Sequence, residues 1–318
     1  MTARTGALNS ACADMRVATV DVGSNTALLL VAERDGAGWR AVYEEATVCR
    51  VSEGLDASGE LQAAPLARTR DVLEHYGRKA RELGVSHVMA VGTAPFRRAT
   101  NGAWAASQLS AALGTPIDVI SGEREGELSL IATRDAFPGL GEMLVVDIGG
   151  ASTEIIATDA EGGFEMVSLD IGAVRLTERC VTEHPLGDAS RGRLRGEIAE
   201  ALDAASVRAL TRATKRPLVG VAGTVTTLCT ASLELDVYDA TRVHGHSLSL
   251  TEVRRLYEAL ALLSVNQRSA LPGVEPKRAD VLPTGALLLM RVMEACGVDS
   301  LTVSNHGVRW GLLSTVSG

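Results

Sequence analysis

One short pattern occurs twice in the chain, near the start and near the middle. Val20-Asp21-Val22-Gly23-Ser24 and Val146-Asp147-Ile148-Gly149-Gly150 each place an aspartate, an apolar residue, a glycine and a small residue after an apolar run. A hydroxyl residue and a second apolar run follow each copy, which is typical of two strands joined by a tight turn. Chance could give one match in a chain with 32 glycines, but the shared hairpin context favours duplication. We therefore predict two halves that share one fold.

Apolar runs and helix-period segments alternate on both sides of each copy, which is typical of an α/β fold. Strands are predicted at residues 17–20, 27–32, 85–91, 117–120, 143–146, 155–157, 165–169, 218–221 and 300–303. Helices are predicted at residues 66–83, 103–113, 123–136, 172–181, 193–209, 253–263 and 282–295, from residue 225 onward, and from about residue 305 to the end.

The composition limits the class of partner. The chain has 318 residues, with 31 Lys and Arg against 39 Asp and Glu, a formal net charge of -8 and only 3% aromatic residues. A protein that binds duplex nucleic acid needs a basic surface, and one that binds single strands needs aromatic platforms. The composition therefore argues against nucleic acid as a partner.

The cysteines and the apolar runs bear on the compartment. Five cysteines are widely scattered, without a CxxC pair or a zinc spacing. They are typical of reduced thiols in a cytoplasmic protein. Residues 1–16 lack the apolar segment of a signal peptide, and runs such as 286–290 are far too short for a membrane span. We predict a cytoplasmic protein with no membrane partner; a homodimer is the default expectation.

The repeated turns have the composition of a phosphate site. Glycine tolerates positive φ and leaves consecutive N–H groups accessible to phosphate oxygens. Asp21 and Asp147 are hard oxygen ligands suited to Mg²⁺. A hairpin turn capped by its own aspartate would explain one copy alone, whereas two matched copies favour phosphate binding. The candidate phosphate ligands are Gly23, Ser24, Asn25 and Thr26 in the first turn, and Gly149, Gly150, Ser152 and Thr153 in the second.

A third candidate is Gly223-Thr224, which joins a predicted strand to a predicted helix. The start of a helix favours anions through its free N–H groups and its dipole. Glycines also serve plain helix–strand packing, so this signal is weak by itself.

Seven motifs occur in order: DVGSNT at 21–26, GTAPFR at 92–97, VISG at 119–122, DIGGASTE at 147–154, GT at 223–224, PKRAD at 276–280 and VSNHGVR at 303–309. Together they resemble the exopolyphosphatase/guanosine pentaphosphate phosphatase family over residues 17–313. The resemblance implies an α/β fold of two actin-like, ribonuclease H-like lobes of the ASKHA superfamily, with the active site in the cleft between them. The N-terminal lobe would take residues 1–126, joined by a C-terminal helix at 305–318. The C-terminal lobe would take residues 127–304.

The resemblance also implies Mg²⁺-dependent hydrolysis of a terminal phosphoanhydride. The resemblance implies that Glu125 is the catalytic glutamate of the family, although Glu127 stands where the family usually has arginine. Glu123 and Glu127 share a helix face that Glu125 does not, so the three carboxylates cannot all line one site. The dipole of the helix N-terminus would account for Glu123 and Glu127.

The family resemblance also assigns the remaining site residues. Glu154 is implied as a second catalytic carboxylate and, with Asp147 and Asp21, as a Mg²⁺ ligand. Arg97 is implied as a phosphate ligand, since a guanidinium fork suits phosphate oxygens. A turn cap and an edge-strand charge are the alternatives for Asp147 and Glu154. For Arg278 and Arg309, an ion pair is as good an explanation as a role in the site. Neither His244 nor His306 is assigned a role.

Two substrates fit this chemistry. The leading expectation is an exopolyphosphatase that releases orthophosphate from inorganic polyphosphate, and the alternative is a guanosine pentaphosphate 5'-phosphohydrolase. The scarcity of aromatic residues favours polyphosphate. A kinase of the same superfamily and a non-enzymatic phosphate sensor are alternatives of other classes.

Overall fold

The structure, a computed structural model, describes residues 15–36, 38–211 and 216–316, without the side chain of Ala205. Residues 1–14, which we expect to carry no signal peptide and which include Cys12, lie outside the described residues. So do residues 317–318 at the end of the predicted C-terminal helix.

The described strands are β1 Arg16–Val22, β2 Thr26–Asp35, β3 Gly38–Val48, β4 His87–Gly92, β5 Ile117–Val119, β6 Leu144–Ile148, β7 Thr153–Thr158, β8 Phe164–Leu169, β9 Leu218–Val221, β10 Ser247–Ser249 and β11 Ser300–Val303. The described α-helices are α1 Leu55–Ser58, α2 Ala63–Glu82, α3 Ala94–Arg98, α4 Gly102–Leu113, α5 Gly122–Ala136, α6 Ala173–Cys180, α7 Asp188–Leu202, α8 Ala205–Thr211, α9 Ala222–Ser232, α10 Ala240–Val243, α11 Leu250–Ala261, α12 Val265–Ser269, α13 Leu282–Cys296 and α14 Val308–Ser314. A 3₁₀ turn occupies Pro276–Arg278.

The chain divides into two compact units. The first contains the described residues up to Leu55, Gly59–Ile120 and the described residues from Leu312 onward. The second contains Asp56–Ser58 and Ser121–Gly311.

The two units share one sheet topology. The sheet of the first unit has the order β3-β2-β1-β4-β5, with β1, β2 and β3 antiparallel and β4 and β5 parallel to β1. The sheet of the second unit has the order β10-β11-β9-β6-β7-β8, in which β8-β7-β6-β9-β11 repeats the pattern and β10 is added at the edge. The predicted α/β fold with two actin-like, ribonuclease H-like lobes is confirmed, and the two units share one sheet topology, as the sequence repeat predicts.

Three of the differences from the predicted elements have a physical cause in the structure. Strand β3 was not predicted, because its sequence shows neither a period of two nor a continuous apolar run and its residues are only partly buried or exposed. Its ladder with β2 holds it at the sheet edge. The predicted helix at 193–209 is two helices, α7 and α8, with Asp203 at the end of the first. The last helix begins at Val308 rather than near residue 305, because the hydroxyl of Ser304 binds the N–H of His306 in a turn before it.

The sheet of the second unit has apolar side chains on both faces. One face forms a large core with helices that include α11 and α13. The other face lies under α5, whose Leu130 packs with Val145 of β6 and Ile156 of β7. Gly126 allows α5 to approach closely, since an added Cβ would lie 2.4 Å from Cε of Met166 in β8. Helix α5 therefore covers the face to which Asp147 and Glu154 also belong.

Two further expectations concern the described part of the chain. Its four cysteines, Cys49, Cys180, Cys229 and Cys296, are free and buried, as expected for reduced thiols. No helix in that part combines the length and the apolar character that crossing a bilayer requires.

Candidate functional site

The two repeated turns close with the same hydrogen bond. The N–H of Gly23 donates to the carbonyl of Thr26 at 3.0 Å, and the N–H of Gly149 donates to the carbonyl of Ser152 at 3.0 Å. Asp21 and Asp147 stand two residues before these glycines, next to last in β1 and β6. The sequence repeat is therefore a repeat of backbone geometry, with one copy in each unit.

The carbonyls of the second turn are held by the first residues of α6. The N–H of Ala173 donates to the carbonyl of Gly149 at 3.0 Å, and those of Val174 and Arg175 donate to the carbonyl of Gly150 at 2.9 and 3.0 Å. In a trans peptide the carbonyl and the following N–H point in opposite directions. The N–H groups of Gly150 and Ala151 therefore point away from α6, and neither donates a backbone hydrogen bond within the described residues.

A loop holds two carbonyls of the first turn, one residue further along than the carbonyls held in the second turn. The carbonyl of Asn25 accepts hydrogen bonds from the N–H groups of Cys49 and Arg50 at 3.0 and 2.9 Å. The carbonyl of Ser24 accepts from the N–H and the hydroxyl of Ser52, each at 3.2 Å. By the same peptide geometry, the N–H groups of Asn25 and Thr26 point away from this loop. Both turns thus direct consecutive N–H groups to one side, which is the arrangement that binds anions.

The hydroxyl of Thr153 is placed differently from the other candidates of the second turn. Thr153 is fully buried and donates to the carbonyl of Ile171 at 2.7 Å. Because side chains alternate along a strand, it lies on the opposite face of β7 from Glu154. Its hydroxyl fixes the hairpin to the segment before α6.

The predicted phosphate ligand Arg97 lies in the first unit, on α3. The N–H of Thr93, just before α3, donates to the carbonyl of Val22 at 3.3 Å and places the helix beside the first turn. Arg97 is half-buried, and its Nη1 donates to the carbonyl of Ile120 at 2.7 Å. The arginine is therefore anchored close to the chain segment that leads into α5.

Gly223 and Thr224 lie in the first turn of α9, as predicted from the strand–helix junction. The guanidinium of Arg278 packs directly on Gly223, since an added Cβ would lie 1.9 Å from its Nη1. Burial lowers the pKa of Arg278, and nearby Glu275 opposes that shift. Ala222 adopts a left-handed φ of 70° at the start of this helix. Such strain in a residue other than glycine is concentrated at functional sites. The PKRAD motif was the sequence signal for Arg278.

Two carboxylates stand side by side beneath α5. Asp147 of β6 pairs directly with Glu154 of β7, and their side chains are only 8% and 1% exposed. Residues directly opposite in an antiparallel pair have Cβ atoms about 5 Å apart. Strand β7 lies between β6 and β8, so the alternative that Glu154 is an edge-strand charge is wrong.

Two serine hydroxyls flank this pair. The Oγ of Ser129 on α5 donates to Oδ2 of Asp147 at 2.7 Å, and the Oγ of Ser168 on β8 donates to Oε1 of Glu154 at 2.7 Å. Burial raises the pKa of Asp147, and the hydrogen bond from Ser129 opposes this rise. Neither serine was predicted. Their only signal in the sequence is position: Ser129 follows Glu125 by one helical turn, and Ser168 pairs with Glu154 across the sheet.

The donor set of Asp147 and Glu154 fits Mg²⁺. Two neighbouring carboxylates in a buried site repel each other, and a hard divalent cation offsets that repulsion while accepting oxygen ligands. Across the described residues, three or more His, Cys, Asp or Glu side chains do not converge as a metal site would require. The second unit therefore offers two protein carboxylates, and Asp21 of the first unit stays a prediction as a third ligand.

Helix α5 presents its glutamates to different surroundings. Glu125 lies in its first turn, is half-buried, and shares a side of the helix with Ser129, four residues later. Glu123 and Glu127 instead line a surface groove of about 420 Å³ together with Phe164, and Glu127 pairs with Arg124 at 2.5 Å. Glu125 is thus the glutamate on the side of α5 that contacts Asp147.

Four rings form a column in the second unit. The ring of His306 lies 4.6 Å from that of His244 and 3.9 Å from that of Trp310, and Phe137 stacks on His244 at 4.9 Å. Burial lowers the pKa of His306 to about 3, with smaller effects from His244 and Arg309. His306 is therefore neutral in the folded protein at neutral pH.

Because His306 in this column is neutral in the folded protein, we expect the free energy of unfolding to decrease in acid. Because the folded-state pKa of His306 lies below its ordinary value of 6.5, the unfolded chain binds more protons between these values. The stabilisation is complete above pH 6.5 and declines as the pH falls towards 3. From His306 we expect the free energy of unfolding to fall by about 1 kcal/mol per pH unit between pH 6 and 4. Urea denaturation at constant ionic strength measures this slope. His306→Phe keeps a ring in the column and should flatten the slope; an identical slope in both proteins would contradict the assignment.

The chain is similar in sequence to known proteins. Residues 30–317 match the Ppx/GppA phosphatase family. Exopolyphosphatase 2 of Mycobacterium tuberculosis is 35% identical to the chain over 324 aligned positions, which cover 95% of this chain and 99% of that protein. The guanosine-5'-triphosphate,3'-diphosphate pyrophosphatase of Vibrio cholerae is 28% identical, and the match covers 93% of this chain and 58% of that protein.

The fold is also matched by solved structures. The crystal structure of the Aquifex aeolicus member of the Ppx/GppA family superposes with a TM-score of 0.77 at 28% identity, covering 95% of this chain and 99% of that one. The resemblance stated from the sequence motifs is thereby confirmed. The chain belongs to the Ppx/GppA phosphatase family.

Proposed function

We propose that the chain is an exopolyphosphatase, which hydrolyses the terminal phosphoanhydride of inorganic polyphosphate and releases orthophosphate. The observation that carries the proposal is the second hairpin of the repeat. Its turn directs the N–H groups of Gly150 and Ala151 to one side. The same hairpin holds the buried pair Asp147 and Glu154. Anion donors and carboxylates in one short element are what phosphoanhydride hydrolysis requires.

Each unit has its own candidate phosphate-binding groups. In each repeated turn the backbone N–H groups would hold phosphate oxygens, with Ser24 or Ser152 adding a hydroxyl. Arg97 would neutralise charge on the phosphoryl group through its guanidinium. Gly223 and Thr224 would offer the free N–H groups at the start of α9. These donors bind phosphate alone and need no nucleobase.

The carboxylates would act on water. Glu125 would hold the attacking water in line with the scissile bond and accept its proton, and Glu154 would orient that water. Asp147 and Glu154 would hold Mg²⁺, with Asp21 as a further candidate ligand. When bound, the cation neutralises phosphate charge next to the carboxylates. An acidic chain makes this neutralisation necessary, because carboxylates repel a polyanion.

Polyphosphate is favoured over guanosine pentaphosphate by two observations. The relative named as an exopolyphosphatase is more similar than the one named as a guanosine pyrophosphatase, at 35% against 28% identity. The chain also has only 3% aromatic residues from which a stacking surface for guanine could be built.

Side-by-side assays of orthophosphate release test the proposal. The full chain, with Mg²⁺, is given long-chain polyphosphate or guanosine pentaphosphate, and Asp147→Asn serves as the control for contaminating phosphatases. We expect kcat/KM to be at least about ten-fold higher for polyphosphate, a difference of about 1.4 kcal/mol in transition-state binding. Faster release from the nucleotide would establish the alternative, and release from neither would reject both. ATP consumption that depends on polyphosphate would instead indicate a kinase.

A further inference from the structure

The buried carboxylates belong to a row of four polar side chains, three on neighbouring strands of the second sheet and one on α5. Ser168 of β8 pairs with Glu154 of β7, and Glu154 pairs with Asp147 of β6. Ser129 completes the row from α5. The outer members are hydroxyls and the inner members are carboxylates, and each hydroxyl donates to its adjacent carboxylate at 2.7 Å.

We propose that Ser129 and Ser168 are positioning residues that orient Asp147 and Glu154 for a divalent cation. The inference rests on the proposed function, in which these carboxylates hold Mg²⁺. A carboxylate rotates about a single bond, and a hydrogen bond to one oxygen fixes the direction of the other. With Oδ2 of Asp147 and Oε1 of Glu154 held from outside, the pair is arranged before a cation arrives. Such outer partners typically change metal affinity by about 10- to 100-fold.

The two serines differ in their access to water. Ser129 is fully buried, whereas Ser168 is exposed on the edge strand β8. Removal of the Ser129 hydroxyl leaves a space enclosed by α5 and the sheet, so Oδ2 of Asp147 loses its hydrogen-bond donor. Water can replace the hydroxyl of Ser168 at the surface. The two substitutions should therefore have unequal effects on cation binding.

Ser129 also connects the carboxylates to the proposed base. It follows Glu125 by one helical turn on α5, so its bond to Asp147 fixes the rotation of this side of the helix against β6. The position of Glu125 relative to the carboxylates thus depends on Ser129. Ser168, on β8, has no such connection.

Cation binding is measured on the full chain without substrate, by titrating Mn²⁺ and following the free ion by electron paramagnetic resonance. We expect Ser129→Ala to raise the Kd by about 10- to 100-fold. Ser168→Ala should raise it by no more than about three-fold, because water takes the place of the hydroxyl, and Ser168→Thr should restore the wild-type value. Ser129→Cys, a slightly larger side chain with a weaker donor, should lie between alanine and serine.

Ser190→Ala is the matched control. Ser190 is also buried, and its hydroxyl accepts hydrogen bonds from Arg193 and Thr182. Its removal should lower the Tm without changing the Kd for Mn²⁺. If Ser129→Ala behaves in the same way, with a lower Tm and an unchanged Kd, the hydroxyl is merely structural and the inference is overturned. It is also overturned if the wild-type chain binds no Mn²⁺.

The proposed function has a separate readout. Orthophosphate release by the wild-type chain can be absent while Ser129→Ala still weakens Mn²⁺ binding; the function then fails and the inference stands. Conversely, a wild-type chain that hydrolyses polyphosphate and a Ser129→Ala variant with unchanged Kd would leave the function intact and reject the positioning role.

Discussion

Replacing Glu125 with glutamine should reduce the turnover of polyphosphate at least about a hundred-fold, because a general base contributes about 10²- to 10⁴-fold to such a step. The amide has the size of the carboxylate but cannot take a proton from water. Glu125 lies in the first turn of α5 and is half-buried, so we expect the Tm to change little. Initial rates of orthophosphate release at saturating polyphosphate, with thermal unfolding of the same samples, measure both quantities.

Glu123→Gln is the matched control, since it removes a carboxylate from the same turn of the same helix. Glu123 lines the groove beside Phe164, on another side of α5 from Ser129. Its substitution should leave turnover within about two-fold of wild type, as is usual for a surface position away from a site. Near-normal turnover in Glu125→Gln would exclude Glu125 as the base and move the assignment to Glu123 or Glu127. A phosphate sensor without catalysis would show no turnover in any of these proteins.

Gly172→Ala should lower polyphosphate hydrolysis by at least about ten-fold and destabilise the fold by about 1–3 kcal/mol. An added Cβ would lie 2.6 Å from the carbonyl carbon and oxygen of Gly150 and 2.7 Å from the nitrogen of Ala151. These are backbone atoms of the proposed phosphate-binding turn, so the turn itself must move. The φ of Gly172 is -155°, which any residue adopts, so the effect comes from the contact alone. Orthophosphate release and urea denaturation provide the two measurements.

The control for this substitution is Gly192→Ala. Gly192 lies within α7, and nothing approaches within 4 Å of an added Cβ there. Alanine is the better helix former by about 1 kcal/mol, so this variant should gain stability and keep its activity. If Gly172→Ala hydrolyses polyphosphate as fast as Gly192→Ala, the turn at 149–152 does not bind the substrate.

The sequence predicted the elements that are marked by an apolar run or an apolar face. Both hairpins of the repeat and the helices α2 and α5 are found close to their predicted bounds, since the strands are short apolar runs and the helices have an apolar face with period 3.6. Strand β3 escaped prediction because its half-exposed residues show no such face, and its pairing with β2 is non-local. The break between α7 and α8 escaped for a related reason: no glycine or proline marks Asp203.

The residues of the candidate site also divide into those that the sequence predicts and those that it does not. The turns, Asp147 and Glu154 could be picked out because short motifs and a repeat mark them in the sequence. Ser129, Ser168 and the packing of Arg278 on Gly223 depend on which strand pairs with which and on how a helix lies across a sheet. Tertiary pairing of this kind is not encoded in local spacing, and serines are too common to stand out alone.

The attachment of α6 to the second turn makes the two copies of the repeat electrically unequal. Helix α6 directs the positive end of its macrodipole at the carbonyls of Gly149 and Gly150. A peptide whose carbonyl accepts a hydrogen bond becomes a stronger donor at its own N–H, so this polarisation is relayed to the anion-facing side. The first turn is supported by the loop at Cys49 and Arg50 and receives no such relay from a helix end. The copy backed by α6 should therefore hold an anion more tightly than the first copy does, although both turns close with the same hydrogen bond.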